Sequence, residues 1–100
     1  MDEQTRAAFE RLLTIAHSDT GQARRVADFI LAWWNPYSLG RFDITDVFTL
    51  DRAIAQDVAT VFSYMASLSN AEHPVEYRAE IEELIAFWRP DMWAQSRETA

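Results

Sequence analysis

The sequence predicts an all-α protein, a compact bundle of about four helices around one core. In four separate stretches, apolar residues recur at the three- and four-residue spacing of an amphipathic helix, and no stretch alternates apolar and polar residues as a strand does. Glycine, proline and capping residues separate these stretches. With 49% hydrophobic residues, the 100-residue chain can bury one core. We therefore expect one domain over residues 1–100, with an ordered core over about 5–90 and a C-terminal tail at 91–100.

The first two predicted helices are joined by a polar turn. Helix one extends from about Glu3 to His17, and its apolar face is formed by Phe9, Leu12, Leu13 and Ala16. The turn at residues 18–21 supplies N-cap candidates for helix two, which reaches Asn35-Pro36. Apolar residues cover more than half of the circumference of helix two. This helix is therefore either central in the bundle, or its Trp34 edge is free to bind a partner.

A loop and the longest helix follow. Residues 36–41 are a loop by their proline and glycine, and Asp43 begins a short capped turn that leads to a second N-cap, Asp51. Helix three then continues to about Ser69. Its apolar face consists of Leu50, Ile54, Val58, Val61, Phe62, Met65 and Leu68.

The last predicted helix begins near Pro74 and ends at Arg89-Pro90, so that Trp93 falls in the tail. One side of this helix is acidic and lies opposite its apolar face. The acidic side consists of Glu72, Glu76, Glu80 and Glu83, and the apolar face of Tyr77, Ile81, Leu84, Ile85 and Trp88.

The acidic stripe has two interpretations. A solvated helix face is the commoner one, and imitation of nucleic-acid phosphates is the sharper one. Carboxylates four residues apart are separated by about 6 Å along a helix, whereas one DNA strand carries a charge every ~3.4 Å. Since the stripe is about half as dense, mimicry requires the acidic segment from Asp43 through Asp46 to Asp57 to fold beside it.

Residue types that carry catalytic or metal chemistry do not form a recognisable site. His17-Ser18-Asp19 are immediate neighbours, which cannot face one another as base, nucleophile and orienting acid must. The two histidines are far apart in sequence, cysteine is absent, and no phosphate-binding glycine pattern occurs. Asp43, Asp46 and Asp51 fit helix caps and first-turn acids better than cation ligands. We expect no metal, no cofactor and no enzymatic activity.

Charge indicates the kind of partner. The chain has 16 acidic and 9 basic residues, a net charge of −7, and every basic residue is arginine. Direct binding to nucleic acid is disfavoured, because that binding depends on basic side chains, and a basic or nucleic-acid-binding protein is the more natural counterpart. The only adjacent basic pair, Arg24-Arg25, is a candidate partner for Asp57 at the margin of helix three's apolar face. Without an evident signal peptide or membrane span, we expect a soluble cytoplasmic protein.

Tryptophan suggests a second binding surface. Trp33 and Trp88 lie on apolar stripes and are expected in the core, while Trp34 and Trp93 are candidate anchors for a partner. Tyr37 and Arg41, in the neighbouring loop, are candidate extensions of that patch. The predicted partner-binding residues are Glu72, Glu76, Glu80, Glu83, Asp43, Asp46, Trp34, Tyr37 and Arg41.

Several motifs resemble a family of small bacterial proteins of unknown function. They are Ser18-Asp19-Thr20-Gly21-Gln22, Arg24-Arg25-Val26-Ala27, Ala32-Trp33-Trp34-Asn35, Phe42-Asp43-Ile44-Thr45-Asp46 and Trp88-Arg89-Pro90. The resemblance covers roughly residues 7 to 90, and the chain departs from the family pattern where Arg41 replaces a glycine. It implies a gene carried by a plasmid, conjugative element or prophage, a setting in which small acidic proteins often inhibit host defence, as anti-CRISPR proteins do.

Three hypotheses of function follow. The first is a non-catalytic acidic protein-binding module of a mobile element that inhibits a host nucleic-acid-binding or defence complex. The alternative is a structural or regulatory accessory protein that self-associates as a homodimer through the Trp34 side. The third is an enzyme that uses two close carboxylates as general acid and base.

Overall fold

A computed structural model describes residues 1–99, in which helices are the only regular secondary structure and no strand occurs. The predicted all-α class is confirmed, but five α-helices form where about four were expected. The α-helices are α1 (Glu3–Ala16), α2 (Gly21–Trp34), α3 (Arg52–Ala66), α4 (Arg78–Trp88) and α5 (Pro90–Thr99), with two 3₁₀ helices at Ile44–Thr49 and Val75–Tyr77. None of the helices in residues 1–99 is long and apolar enough to cross a membrane.

Side-chain caps explain where the first helices begin. The carboxylate of Asp2 accepts a hydrogen bond from the Thr5 amide at 2.8 Å, and this bond lowers the pKa of Asp2. Within the predicted polar turn, Thr20 is the residue that caps α2, since its hydroxyl accepts from the Ala23 amide at 3.1 Å. Asp51 occupies the N-cap position of α3, but its side chain makes no capping bond.

The core is built around α2. This helix packs between α1 and α4, α3 packs on the other side of α1, and α5 packs on α4. Eight of the fourteen residues of α2 are buried, which confirms a central place in the bundle. Phe9 of α1 contacts the rings of Trp33 and Tyr77 at centroid distances of 5.6 and 5.1 Å, so α1, α2 and the start of α4 share one aromatic cluster.

The C-terminal segment is ordered differently from the expectation. Arg89-Pro90 ends α4 as predicted, but the residues expected to form a tail continue as α5. Proline fits the first position of a helix because its missing N–H has no partner there. Met92 and Trp93 then pack against the core, and that burial holds α5 on α4.

Helix α3 also departs from the prediction. It ends at Ala66 rather than Ser69, and only Val58 and Val61 are buried along its length. Phe62, assigned from its spacing to the buried face, is 56% exposed. The reason is that α3 packs mainly on α1, whose contact covers a narrower arc than the run of apolar residues.

Candidate partner-binding surfaces

A buried ion cluster fixes α2 relative to the α4–α5 junction. Asp28 and Arg89 are 3% and 7% exposed, and the Arg89 Nη2 donates to Asp28 Oδ1 at 2.7 Å. Arg24 Nη1 donates to the other Asp28 oxygen at 2.8 Å, and Arg89 Nε donates to the Leu39 carbonyl at 3.1 Å. The sequence interpretation did not single out Asp28. The available signal was an acid within the apolar arc of α2, four residues after Arg24.

The start of α2 also positions the acidic loop before α3. The Gln22 side-chain amide donates to the Thr49 carbonyl at 3.2 Å, and its oxygen accepts from the Asp51 amide at 3.1 Å. One turn later, Arg25 Nε lies 3.9 Å from the carboxylate of Asp46. Gln22 therefore joins the end of the 3₁₀ helix Ile44–Thr49 to the N-cap of α3, while the buried Nε of Arg25 makes only this long ion pair and has no hydrogen-bond partner within residues 1–99.

Most carboxylates of this loop and of α3 have partners. Asp43 accepts from the hydroxyl and the amide of Thr45 at 2.7 and 3.0 Å, and these bonds lower the pKa of Asp43. Asp57 forms a bidentate pair with Arg11 of α1, both bonds at 2.9 Å, and not with Arg24 or Arg25 as expected. Asp43, Asp46 and Asp57 therefore have partners within the chain, whereas phosphate mimicry requires carboxylates that are available to a binding partner.

The four acids of the predicted stripe do not lie on one helix. Glu72 precedes α4 and accepts from the Tyr64 hydroxyl at 2.8 Å, and this bond raises the pKa of Tyr64. Glu76 lies in the 3₁₀ helix Val75–Tyr77, 3.8 Å from Arg6. Only Glu80 and Glu83 lie within α4, where they border a groove between α4 and α1.

We name this groove the acidic groove; its volume is about 480 Å³, and it is lined by Glu10, Leu13, Thr14, His17, Tyr77 and Glu80. The Tyr77 hydroxyl donates to Glu10 at 2.7 Å and accepts from Arg6 at 3.0 Å. Burial, followed by the hydrogen bond to Glu10, raises the pKa of Tyr77. The aromatic ring and Leu13 give the groove an apolar wall below its carboxylates.

Glu83 adds a third acid to Glu10 and Glu80 at the acidic groove. Glu83 lies 3.8 Å from His17 Nε2, while His17 Nδ1 donates to the Leu13 carbonyl at 2.7 Å. One carboxylate oxygen of Glu80 is fully buried and has no hydrogen-bond partner among residues 1–99. Since buried carboxylate oxygens are normally hydrogen-bonded, this atom is the clearest unmet requirement for a donor on this side of the protein.

The two candidate tryptophan anchors border one cavity. Trp34 and Trp93 line a space of about 280 Å³ between α2, α4 and α5, together with Leu39, Ile85 and Met92 among others. Arginines cover both rings: Arg78 lies 5.0 Å from the Trp34 centroid and Arg97 5.5 Å from that of Trp93. Both tryptophans are half-buried.

The loop residues grouped with Trp34 are not part of that cavity. Tyr37 is 99% exposed and Arg41 is also exposed, and neither lines the space between the tryptophans. Over the part of the chain that the structure describes, no three His, Cys, Asp or Glu side chains are grouped so as to hold a metal ion.

Comparison with known proteins gives a family. A model described as "Family of unknown function (DUF7673)" matches residues 6–89. The chain belongs to this family. No curated protein and no solved structure matches the chain. Within the matched residues lie the buried pair Asp28–Arg89 and all residues that line the acidic groove, whereas α5 lies outside them.

Proposed function

We propose that this DUF7673 protein is a non-catalytic protein-binding module whose acidic groove receives a basic segment of a partner protein. The observation that carries the proposal is the grouping of three carboxylates, those of Glu10, Glu80 and Glu83, at one groove. Arg6 contacts this groove through the Tyr77 hydroxyl, and no ion pair joins it to Glu10 or Glu80 among the described residues. A basic side chain of another protein supplies the positive charge that these carboxylates lack.

Arginine or lysine fits the acidic groove chemically. A guanidinium group donates to two carboxylate oxygens at once, and such charge-assisted bonds are about twice as strong as neutral ones. Tyr77 and Leu13 offer apolar surface to the methylene groups of a long basic side chain. Glu10 retains one carboxylate oxygen that does not accept from Tyr77, and a ligand is able to use it.

The negative charge of the acidic groove indicates the class of partner. Proteins that bind nucleic acid carry exposed arginine and lysine, and a protein that occupies those side chains competes with the nucleic acid. We extend the proposal to inhibition of a host nucleic-acid-binding or defence complex by a mobile-element protein, as the family resemblance implies. Recognition of individual basic side chains has more support than phosphate mimicry, because Asp43, Asp46 and Asp57 have internal partners.

A peptide titration tests this function. Fluorescence anisotropy compares labelled hexa-arginine with labelled hexaglutamate, for the natural chain and for the triple variant Glu10→Gln, Glu80→Gln, Glu83→Gln. We expect hexa-arginine to bind, and its Kd to rise about tenfold or more in the triple variant, since one charge-assisted bond contributes about 1.5–3 kcal/mol. Salt is expected to weaken binding by the natural chain.

The control variant removes the same number of charges elsewhere. Glu3, Asp19 and Asp91 are exposed acids outside the acidic groove, and Glu3→Gln, Asp19→Asn and Asp91→Asn together remove the same three negative charges. The proposal expects the control to retain binding. Equal losses in both triple variants mean that binding follows net charge rather than the groove, and the proposal is then wrong.

Self-association through the Trp34 side is the alternative function. It has less support, because Trp34 is half-buried and Arg78 covers its ring at 5.0 Å. A hot-spot residue at an interface requires an accessible face that the partner desolvates. The alternative predicts that Trp34→Ala lowers the oligomeric state in sedimentation, and an unchanged sedimentation profile refutes it.

A further inference from the structure

We infer that α3 carries an interface for a second copy of this chain. Ten of its fifteen residues are apolar, yet only Val58 and Val61 are buried. The α3 outer face consists of the exposed residues Ala59, Phe62 and Ala66, the half-buried Ala55 and the neighbouring Phe48. Phe48 and Phe62 are 86% and 56% exposed. Exposed aromatic residues grouped in this way are typical of a contact surface.

The lack of charge on the α3 outer face favours a second copy of this chain as the partner that binds it. The fourteen residues from Val58 to Ala71 include no charged residue. The only acid within α3, Asp57, is paired with Arg11, and its side chain is 14% exposed. Two copies with a net charge of −7 repel each other over most orientations, and the repulsion is smallest where the uncharged residues 58–71 meet, although Asp2 borders Ala59 on one side.

The α3 outer face is also complementary to itself. Phe62 projects from it, and a cavity of about 500 Å³ opens three residues earlier along the helix, lined by Val47, Phe48, Leu50, Arg52, Ala55, Gln56 and Ala59. A two-fold axis at Ala59 makes the two α3 helices antiparallel and places residue 62 of each copy opposite residue 56 of the other. Phe62 of each copy then enters the cavity of the other copy, as an isologous interface requires.

Arg52 supports the antiparallel arrangement independently. It is the first residue of α3, where the positive end of the helix dipole disfavours a cation, and it has no ion pair or hydrogen bond within residues 1–99. With the axis at Ala59, Arg52 lies opposite Ala66 of the second copy. The last turn of α3 contains no basic residue of its own. The negative end of its helix dipole therefore attracts the arginine of the second copy.

The small area of the α3 outer face limits the strength of the dimer. From the exposed fractions of Phe48 and Phe62, the two rings offer about 280 Å² per copy. The alanines and Val47 add to this, but a standard stable interface buries ~800 Å² per partner. The expected dimer is therefore weak and concentration-dependent.

Analytical ultracentrifugation tests the dimer, at concentrations up to about 1 mM. The natural chain is expected to shift from monomer to dimer as its concentration rises. Ala59→Arg places two cations at the axis and is expected to remain monomeric, while Ala79→Arg, an exposed alanine of α4, behaves as the natural chain does. Circular dichroism checks that both variants are folded. A natural chain that is monomeric throughout overturns the inference, as does equal loss of dimer in both variants.

Disulfide trapping tests the position of the axis. The chain has no cysteine, so Ala59→Cys introduces a single thiol close to its own symmetry mate. Under mild oxidation we expect a covalent dimer from Ala59→Cys and none from Ala79→Cys. Comparable crosslinking of both variants, or none of Ala59→Cys, overturns the proposed axis. Ala59→Arg should bind hexa-arginine as the natural chain does, because Ala59 is not in the acidic groove.

Discussion

Removing the charge of Asp28 tests whether the buried ion cluster is essential to the fold. Asp28→Asn preserves size and one acceptor oxygen, but it leaves the guanidinium of Arg89, whose side chain is 6% exposed, without a counter-ion. Breaking a buried pair from one side costs about 3–5 kcal/mol. We expect the lower end, about 3 kcal/mol, because an asparagine oxygen still accepts a hydrogen bond. This loss is a large share of the free energy of unfolding, which is ~5–15 kcal/mol for a typical domain.

The assay is urea unfolding at neutral pH, followed by far-ultraviolet circular dichroism, with the slope m checked for constancy. At about 4–8 °C per kcal/mol, the melting temperature should fall by at least about 12 °C. Glu82→Gln is the control: its pair with Arg78 joins side chains that are 43% and 61% exposed, and a pair at the surface contributes about 0–1 kcal/mol.

A double-mutant cycle separates the pair from the fold around it. In Asp28→Asn with Arg89→Met, neither charge remains buried alone, so the combined loss should be clearly smaller than the sum of the single losses. A loss below about 1 kcal/mol for Asp28→Asn, or strictly additive losses in the cycle, refutes the reasoning.

Two further predictions concern single positions. Gly40→Ala should destabilise the fold by about 1–3 kcal/mol in urea unfolding, because a Cβ atom there meets the Pro36 carbonyl oxygen at 2.8 Å. Gly21→Ala, where the nearest atom is 3.9 Å away, should be neutral or stabilising; equal losses at both glycines contradict this. Burial and Glu10 raise the pKa of Tyr77, so the free energy of unfolding should fall as the pH rises above ~10. Tyr77→Phe should show a smaller fall, and identical pH profiles for the two chains contradict this prediction.

Periodicity predicted the parts of the fold that depend on neighbours along the chain. A central place for α2 was one of the two arrangements that its wide apolar arc allowed, and Thr20 was among the cap candidates. The helical spacing of Phe62 was also detected, but its burial depends on which helix lies opposite α3, and that is a tertiary property. For the same reason, a proline that ends one helix and begins another was interpreted only as a stop.

The binding surfaces were predicted less completely than the helices. Glu80 and Glu83 do border one groove, but its third acid, Glu10, comes from α1 and carries no signal in sequence that links it to α4. Asp28 and Arg89 are 61 residues apart, so only the folded chain shows that they pair. The charge pattern along one helix therefore indicated that the surface is acidic. Which residues of other helices join that surface is seen only in the tertiary structure.

The measurement that tests the central claim most directly is an NMR titration of the isotopically labelled chain with hexa-arginine. We predict that amide shifts concentrate at the acidic groove, on residues 10–17 of α1 and 77–83 of α4, and that hexaglutamate produces none there. Shifts confined to the cavity of Trp34 and Trp93, to the α3 outer face, or spread evenly over all exposed acids contradict the claim.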